Sequence, residues 1–390
     1  MKIMEQLIKY AIGVDVAKDK FDVCLMSVDI ALTSKVKASK KFSNTLAGFK
    51  EFLSWSQKHG KEPVSRHVLM EATGVYYEKL AIWLTEQGVE VIVVLPNKAR
   101  KYMQALGLKS KNDHVDARGL ALMCIQNKFE VWKPIGKYYY ELRQLTRHYQ
   151  STQELKTVFM NQLHALEYSG YTSKEVSKQL KKTIAMFEKQ VKILKKAIIE
   201  HIESNTEAKR KVSHICLIKG VDILSVATVL AETNGFELFA NQSQLVSYAG
   251  YDVVENQSGN HIGTTRISKK GNSRIRRILH MPALNVVRHQ ETPFQRLQER
   301  VYERTKVKMK GYVAVQKKLL IVMYTLWKND QPYNKIYEEN MISGNDKQEL
   351  LFPFFSKGES EEVVPQQSST TLDELRYNES HEVLFPLLQN

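Results

Sequence analysis

Two apolar, β-branched runs stand back to back near the start of the chain, KYAIGVDVA (9–17) and DKFDVCLMSV (19–28), with only a tight polar turn between them. The two runs read as adjacent strands. A weaker run, SKVKASKKF (34–42), alternates as a third strand with one wet face. From there the pattern changes to alternation. An amphipathic helix is predicted from Thr45 to His59, with Leu46, Phe49, Phe52 and Leu53 on one side. SRHVLMEAT (65–73) reads as a strand and VYYEKLAIWLTEQG as a helix ended by Gly88. VEVIVVLP follows as a buried strand stopped by Pro96, then helices over 97–106 and from Asp113 to about Gln126. Three successive strands followed by strand–helix alternation predict an α/β domain, a mixed sheet flanked by helices.

Residues 138–205 carry a different period. Leu180, Ile184, Phe187, Val191, Leu194, Ile198 and Ile202 are spaced close to a heptad seam, with Lys and Glu elsewhere. Thr172 followed by Glu175 supplies a capping-box start. Leu142, Leu145, Leu155, Phe159, Leu163 and Leu166 form the antiparallel partner across Gly170. A coiled-coil helical hairpin of this length suits a spacer or a dimerisation element, and dimerisation is the favoured expectation. From 206 to 337 the chain is mostly helical and rich in Arg and Lys. Its opening, 216–234, is similar to a helix-hairpin-helix module, except that Asp222 stands where such modules carry a second turn glycine.

Charge points to the partner. The 390 residues carry a formal net charge of +15. Residues 338–390 contain 11 acids and three bases, which leaves +23 on residues 1–337. A body so positive attracts a polyanion, and nucleic acid is the commonest. The acidic stretch with its QQSSTT run reads as a disordered tail. Three widely separated cysteines, Cys24, Cys124 and Cys216, exclude a disulfide framework or zinc ribbon and suit a reducing compartment. The longest apolar runs fall short of the ~20 residues that span a bilayer, and no secretion signal is evident, so a cytoplasmic protein is expected.

Four acids carry the chemistry. Asp15 lies between Val14 and Val16 near the end of the first strand, where a carboxylate is costly unless it binds something. Glu71 ends the fourth strand in the same manner. Asp113 and Asp116, three apart in KNDHVDARGLA, share one helix face. Taken singly, each has a bland reading as turn acid, strand-end cap or helix cap. Four carboxylates meeting at one point stay ionised only beside divalent metal, and all-oxygen ligation selects Mg²⁺ or Mn²⁺. Two such ions stabilise the attacking and leaving oxygens of a phosphodiester displacement.

GVDVAKDKFDV, LMEATGVYYEKLAIWL and KNDHVDARGLA together resemble the RNase H-like, RuvC-type domain of the DEDD transposases of bacterial insertion sequences, relatives of pilin-gene invertases and bridge-RNA-guided recombinases. The resemblance puts the family's acids on Asp15, Glu71, Asp113 and Asp116, with Asn112 where relatives often carry Thr or Ser. It continues through residues 236–283, which look like the family's C-terminal transposase domain, with Lys219 and Val253 departing from prolines common in relatives. By resemblance Ser258, in the Ser258–Gly259 pair, is the nucleophile that forms a covalent link to DNA. A serine hydroxyl needs a base or metal for activation. His261 is nearby but reads as a loop histidine, so the acidic metal site is the expected activator, shared between subunits in the family.

Arg266, Lys269, Lys270, Arg274, Arg276 and Arg277 follow within 12 positions, around a Gly271-Asn272-Ser273 turn and cap, as a phosphate grip. Lys308, Lys310, Lys317 and Lys318 extend the strip less specifically, and Asn161, Gln162 and His164 are loose candidates for RNA contact. The expected organisation is a RuvC-like catalytic domain over 1–137, the hairpin over 138–205, the transposase domain over 206–337 and the tail over 338–390. The expected function is a site-specific DNA recombinase, the transposase of an insertion sequence. It would act on donor and target duplexes, guided by a structured noncoding RNA, as a homodimer or tetramer. A RuvC-like nuclease or junction resolvase that uses water is the alternative. A sugar-kinase-type ATPase is disfavoured because Ala17, Lys18 and Asp19 follow the first acid instead of phosphate-cradling Gly and Thr. A nucleic-acid-binding protein with decayed acids is disfavoured because all four acids are present.

Overall fold

The computed structural model describes residues 7–60, 64–107, 112–255, 257–258, 261–263 and 265–334. The tail expected over 338–390 lies outside the described residues. The chain opens with β1 (Leu7–Val16), β2 (Lys20–Asp29) and β3 (Ser34–Ser43), then α1 (Leu46–His59), β4 (Ser65–Glu71), α2 (Glu78–Glu86), β5 (Glu90–Val94), α3 (Pro96–Ala105) and α4 (Asp113–Gln126). The strands form one sheet in the order β3-β2-β1-β4-β5. β1 pairs antiparallel with β2, and β2 with β3. The β1–β4 and β4–β5 pairs are parallel. This is the mixed sheet of an RNase H-like fold.

Each face of the sheet has its own cover. Phe21, Phe42, Phe49 and Phe52 stack between one face and α1. On the other face α4 lies against β1 and β2. Gly13 permits this approach, because a Cβ there would stand 2.0 Å from the Ala117 carbonyl oxygen and 2.3 Å from the Ala121 nitrogen. Ala117, Gly119 and Ala121 are buried on the helix, so two small-residue surfaces meet. β3 has the wet face its alternation predicts, but its other face is buried only at Phe42. Pro96 does more than stop β5. It opens α3 at the first turn, where its missing N–H costs nothing.

The hairpin comprises α5 (Lys137–Glu167) and α6 (Lys174–Glu203). Its seam closes on Phe159 stacked against Phe187, with ring centroids 5.5 Å apart. Ile198 and Ile202 bury it at the base against Leu142. Two details differ from the sequence reading. Ser173, not Thr172, caps α6 by accepting from the Val176 N–H, and the Thr172 hydroxyl donates back to the Leu166 carbonyl. Leu155 is 47% exposed and so lies off the seam.

The rest is helical: α7 (Thr206–Cys216), α8 (Ile223–Thr233) and α9 (Gln242–Ala249) come first. The short strands β6 (Val253–Val254), β7 (Gln257–Ser258), β8 (His261–Ile262) and β9 (Arg266–Ile267) follow. The region ends with α10 (Ser273–Ile278), α11 (His280–Arg288), α12 (Thr292–Thr305) and α13 (Lys308–Asn329). Buried α8 is the hub, with Leu224 and Val226 through Ala231 in the core. In the module that resembles a helix-hairpin-helix, the Asp222 carboxylate accepts from the Ser225 N–H and hydroxyl. That negative cap already occupies the helix start, so it is no phosphate cradle.

Candidate active site

Asp15 sits one residue before the end of β1, between fully buried Val14 and nearly buried Val16. Glu71 closes the parallel neighbour β4, and the Thr73 hydroxyl donates to its Oε1 at 3.4 Å. Asp113 and Asp116 stand in the first turn of α4, which starts sharply because Asn112 Oδ1 accepts from the Val115 N–H at 2.9 Å. Asn112 is therefore the cap of the helix that carries both acids. Helix start, strand end and glycine-mediated contact bring segments a hundred residues apart to one end of the sheet.

The electrostatics record that meeting. Burial, then the charges of Asp116, Asp113 and Glu71, with a smaller contribution from Asp22, together push the Asp15 carboxyl up to about 6. Asp113 is the outermost of the group, with its Oδ2 3.2 Å from the exposed Lys20 ammonium. The donor type and the charge fit hard divalent cations, which neutralise crowded carboxylates. As they stand, no three carboxylate, imidazole or thiolate groups among the described residues converge tightly enough to hold an ion.

Sequence reasoning passed over Asp22. It lies directly opposite Asp15 in the β1–β2 ladder, is 8% exposed, and has its Oδ2 3.5 Å from Lys41 Nζ. The signal was available, since Asp22 sits between Phe21 and Val23 just as Asp15 sits between valines.

Ser258 ends β7, whose backbone pairs antiparallel with β8, Ser258 opposite His261. Gly259 lies outside the described residues. The basic segment divides into two sets. Arg266, Lys269 and Lys270 are exposed. Arg274, Arg276 and Arg277 each have a partner within the protein, although Arg277 is itself exposed. Arg276 donates to the Ala249 carbonyl at 2.8 Å, closing the end of α9, and Arg277 pairs with Glu154 of the hairpin. Arg274 approaches Glu232 at 3.6 Å. Asn272 caps α10 as expected, but its amide also donates to Glu232 at 2.8 Å. Glu232 is 1% exposed, and Arg147 of the hairpin grips it with two bonds of 2.7 and 2.8 Å. This network was invisible in the sequence, although an acid within the apolar helix text ILSVATVLAET was its signature. Lys317 is half-buried, and burial brings its ammonium down to about 8 against the opposing pull of Asp252.

Residues 12–166 match the transposase family model of the IS110-type DEDD enzymes, and residues 212–298 match the model described as the transposase IS116/IS110/IS902 family. Pilin gene-inverting proteins of Moraxella lacunata and Moraxella bovis are each 27% identical over 334 residues, covering 85% of this chain and 99% of theirs. Among solved structures, Thermus thermophilus RuvC is similar at 12% identity, with a TM-score of 0.25, over 32% of this chain and 99% of its own. T. thermophilus RuvC in complex with a Holliday junction substrate is similar at 14% identity, with a TM-score of 0.22, over 29% and 90%. The paired family matches and the gene-inverting relatives define a DNA recombinase of the transposase class. The chain is similar to the IS110-type DEDD transposases over both matched segments.

Proposed function

We propose that this transposase cleaves and rejoins DNA at specific sites by metal-dependent phosphodiester exchange through a covalent serine–DNA intermediate. The observation that carries the reading is the Asp15 carboxyl, pushed up to about 6 by burial and by Asp116, Asp113 and Glu71. A half-buried acid within electrostatic reach of three others is a standing deficit of positive charge. Asp15, Glu71, Asp113 and Asp116 are the residues that would hold Mg²⁺ or Mn²⁺, two ions in the fullest form. When bound, the ions supply charge neutralisation at the attacking and leaving oxygens.

Ser258 is the nucleophile in this reading. Its oxygen bonds to the phosphorus of the scissile linkage, its proton passes to a base, and a strand hydroxyl leaves. The phosphodiester energy is kept in the serine ester, so a strand hydroxyl reverses the step without ATP. Arg266, Lys269 and Lys270 grip the backbone phosphates of donor and target DNA. The names of the Moraxella relatives, which describe inversion of a gene, support site-specific recombination over simple degradation. Guidance by a structured noncoding RNA, assembly as a homodimer or tetramer, and action in the cytoplasm complete the reading. All three rest on family membership, the last with the added fact that no helix among the described residues is long and apolar enough to cross a membrane.

Ser258→Ala tests the chemistry against a RuvC-like nuclease that uses water. Denaturing gels of wild type with DNA and Mg²⁺ are expected to show a protein–DNA adduct that the variant lacks, with cleavage lost as well. Cleavage that persists undiminished in Ser258→Ala would establish hydrolysis by water instead.

A further inference from the structure

The outer face of α6 is a lysine row. Lys174, Lys178, Lys182, Lys189, Lys192 and Lys196 are spaced 4, 4, 7, 3 and 4 residues apart, and all six are exposed. At about 100° per residue they fall on one side of the helix, opposite the seam of Leu180, Ile184, Phe187, Val191, Leu194 and Ile198. The row runs 22 residues, about 33 Å at 1.5 Å per residue. Acids border it near its ends and at Glu188, mid-row, which turns to Lys156 of α5 at 3.8 Å. Glu175 holds the Gln179 amide at 3.4 Å, and Glu200 lies 3.4 Å from Lys196. Among the described residues, Lys174, Lys178, Lys182, Lys189 and Lys192 have no ion-pair partner.

A coiled-coil face that serves only solubility mixes signs, so that Glu and Lys support each other at i,i+4. Here Glu188 is drawn across to Lys156, and five ammonium groups left without an ion pair repel one another along the helix. Such a face is stable beside a matching line of negative charge. Four-residue spacing sets neighbouring ammonium groups ~6 Å apart along the helix, and the row matches roughly one turn of B-form DNA, ~34–36 Å. Lysine supplies point charges rather than the forked donors that read bases. Because the enzyme class acts on DNA, we infer that this face of α6 is a docking surface for the phosphate backbone of duplex DNA outside the cleavage site. The inference rests on the proposed DNA-processing function. It adds a contact independent of sequence, which holds the flanking duplex along the hairpin.

The test is a triple substitution, Lys178→Gln, Lys182→Gln and Lys189→Gln, in the full chain, chosen because Gln keeps helix propensity. Circular dichroism and melting confirm the fold. Binding to a 60-bp duplex of arbitrary sequence is then measured across a salt series. Each phosphate contact contributes about 0.9 to the log–log salt slope, so loss of three is expected to shallow it by about 2.7. An unchanged slope in a folded variant overturns the inference while leaving the proposed function standing. A loss confined to structured RNA, with the DNA slope unchanged, overturns it too and reassigns the face to RNA. A wild type that fails to bind DNA at all removes the proposed function and this surface together.

Discussion

The Arg147 guanidinium on α5 and the buried Glu232 carboxylate on α8, 85 residues apart, form a two-bond ion pair that ties the hairpin to the helical domain. Asn272 joins the same carboxylate, and Tyr248 donates to the Glu232 backbone carbonyl at 3.1 Å. One charge therefore ties the hairpin and the start of α10 to α8, and the same residue's backbone carbonyl adds α9. Arg147→Ala leaves that buried carboxylate short of its strongest partner. The cost expected is about 1.5–3 kcal/mol, the range for hydrogen bonds to charged groups, read as a lowered midpoint in urea. A variant within error of wild type would show that Arg274 and Asn272 suffice.

The same pair sets a pH dependence. Burial alone would raise the Glu232 pKa, but the hydrogen bonds and charge of Arg147, with Asn272 and Arg274, outweigh it and hold the carboxyl below its ordinary value. A group depressed in the folded state contributes stability fully above its unfolded pKa, about 4.3 for Glu, and loses it as pH falls through the folded value. The stability gap between wild type and Glu232→Gln should therefore be constant near neutrality and shrink on acidification below about pH 4. A gap independent of pH would deny the carboxylate its ionised role.

Gly13→Ala is expected to act on the acids from a distance. A methyl group there meets the Ala117 carbonyl and Ala121 nitrogen well inside contact distance, so α4 must move away from β1. Overpacking of this kind costs roughly 1–3 kcal/mol. Because Asp113 and Asp116 ride on α4, the variant should also lose cleavage activity out of proportion to its stability. Full activity in a folded Gly13→Ala protein would mean that α4 placement is not critical.

The basic segment is expected to split by function. Replacing Arg266, Lys269 and Lys270 with Gln should weaken DNA binding and shallow its salt slope by up to about 2.7 if all three touch phosphate, with little change in melting. Arg276→Ala, which frees the Ala249 carbonyl, should lower the melting temperature instead. The reverse pattern in paired melting and binding assays would refute the division.

The sheet and its acids were legible because each was marked locally. The two opening runs read as adjacent strands, Asp15 stood between valines, and Asn112 announced the helix that carries Asp113 and Asp116. The same logic reached Asp22 but was not applied to it. What stayed hidden was set by distant pairings. Arg274, Arg276 and Arg277 read as a phosphate grip because Glu232, Ala249 and Glu154 are remote in sequence. Thr172 and Ser173 both offer a capping hydroxyl, and only the turn geometry after Gly170 decides between them.

The gathering of Asp15, Glu71, Asp113 and Asp116 around divalent ions is open to a binding titration. Wild type and Asp15→Asn, each with melting and nucleic-acid binding verified, are titrated with Mn²⁺ and free ion is followed by electron paramagnetic resonance. Wild type should take up Mn²⁺ at one or two sites with strand exchange activity. Asp15→Asn should lose at least one site and all strand exchange while binding nucleic acid within a few-fold of wild type. Equal Mn²⁺ uptake and retained recombination in Asp15→Asn would remove this residue, and the cluster built around it, from the chemistry.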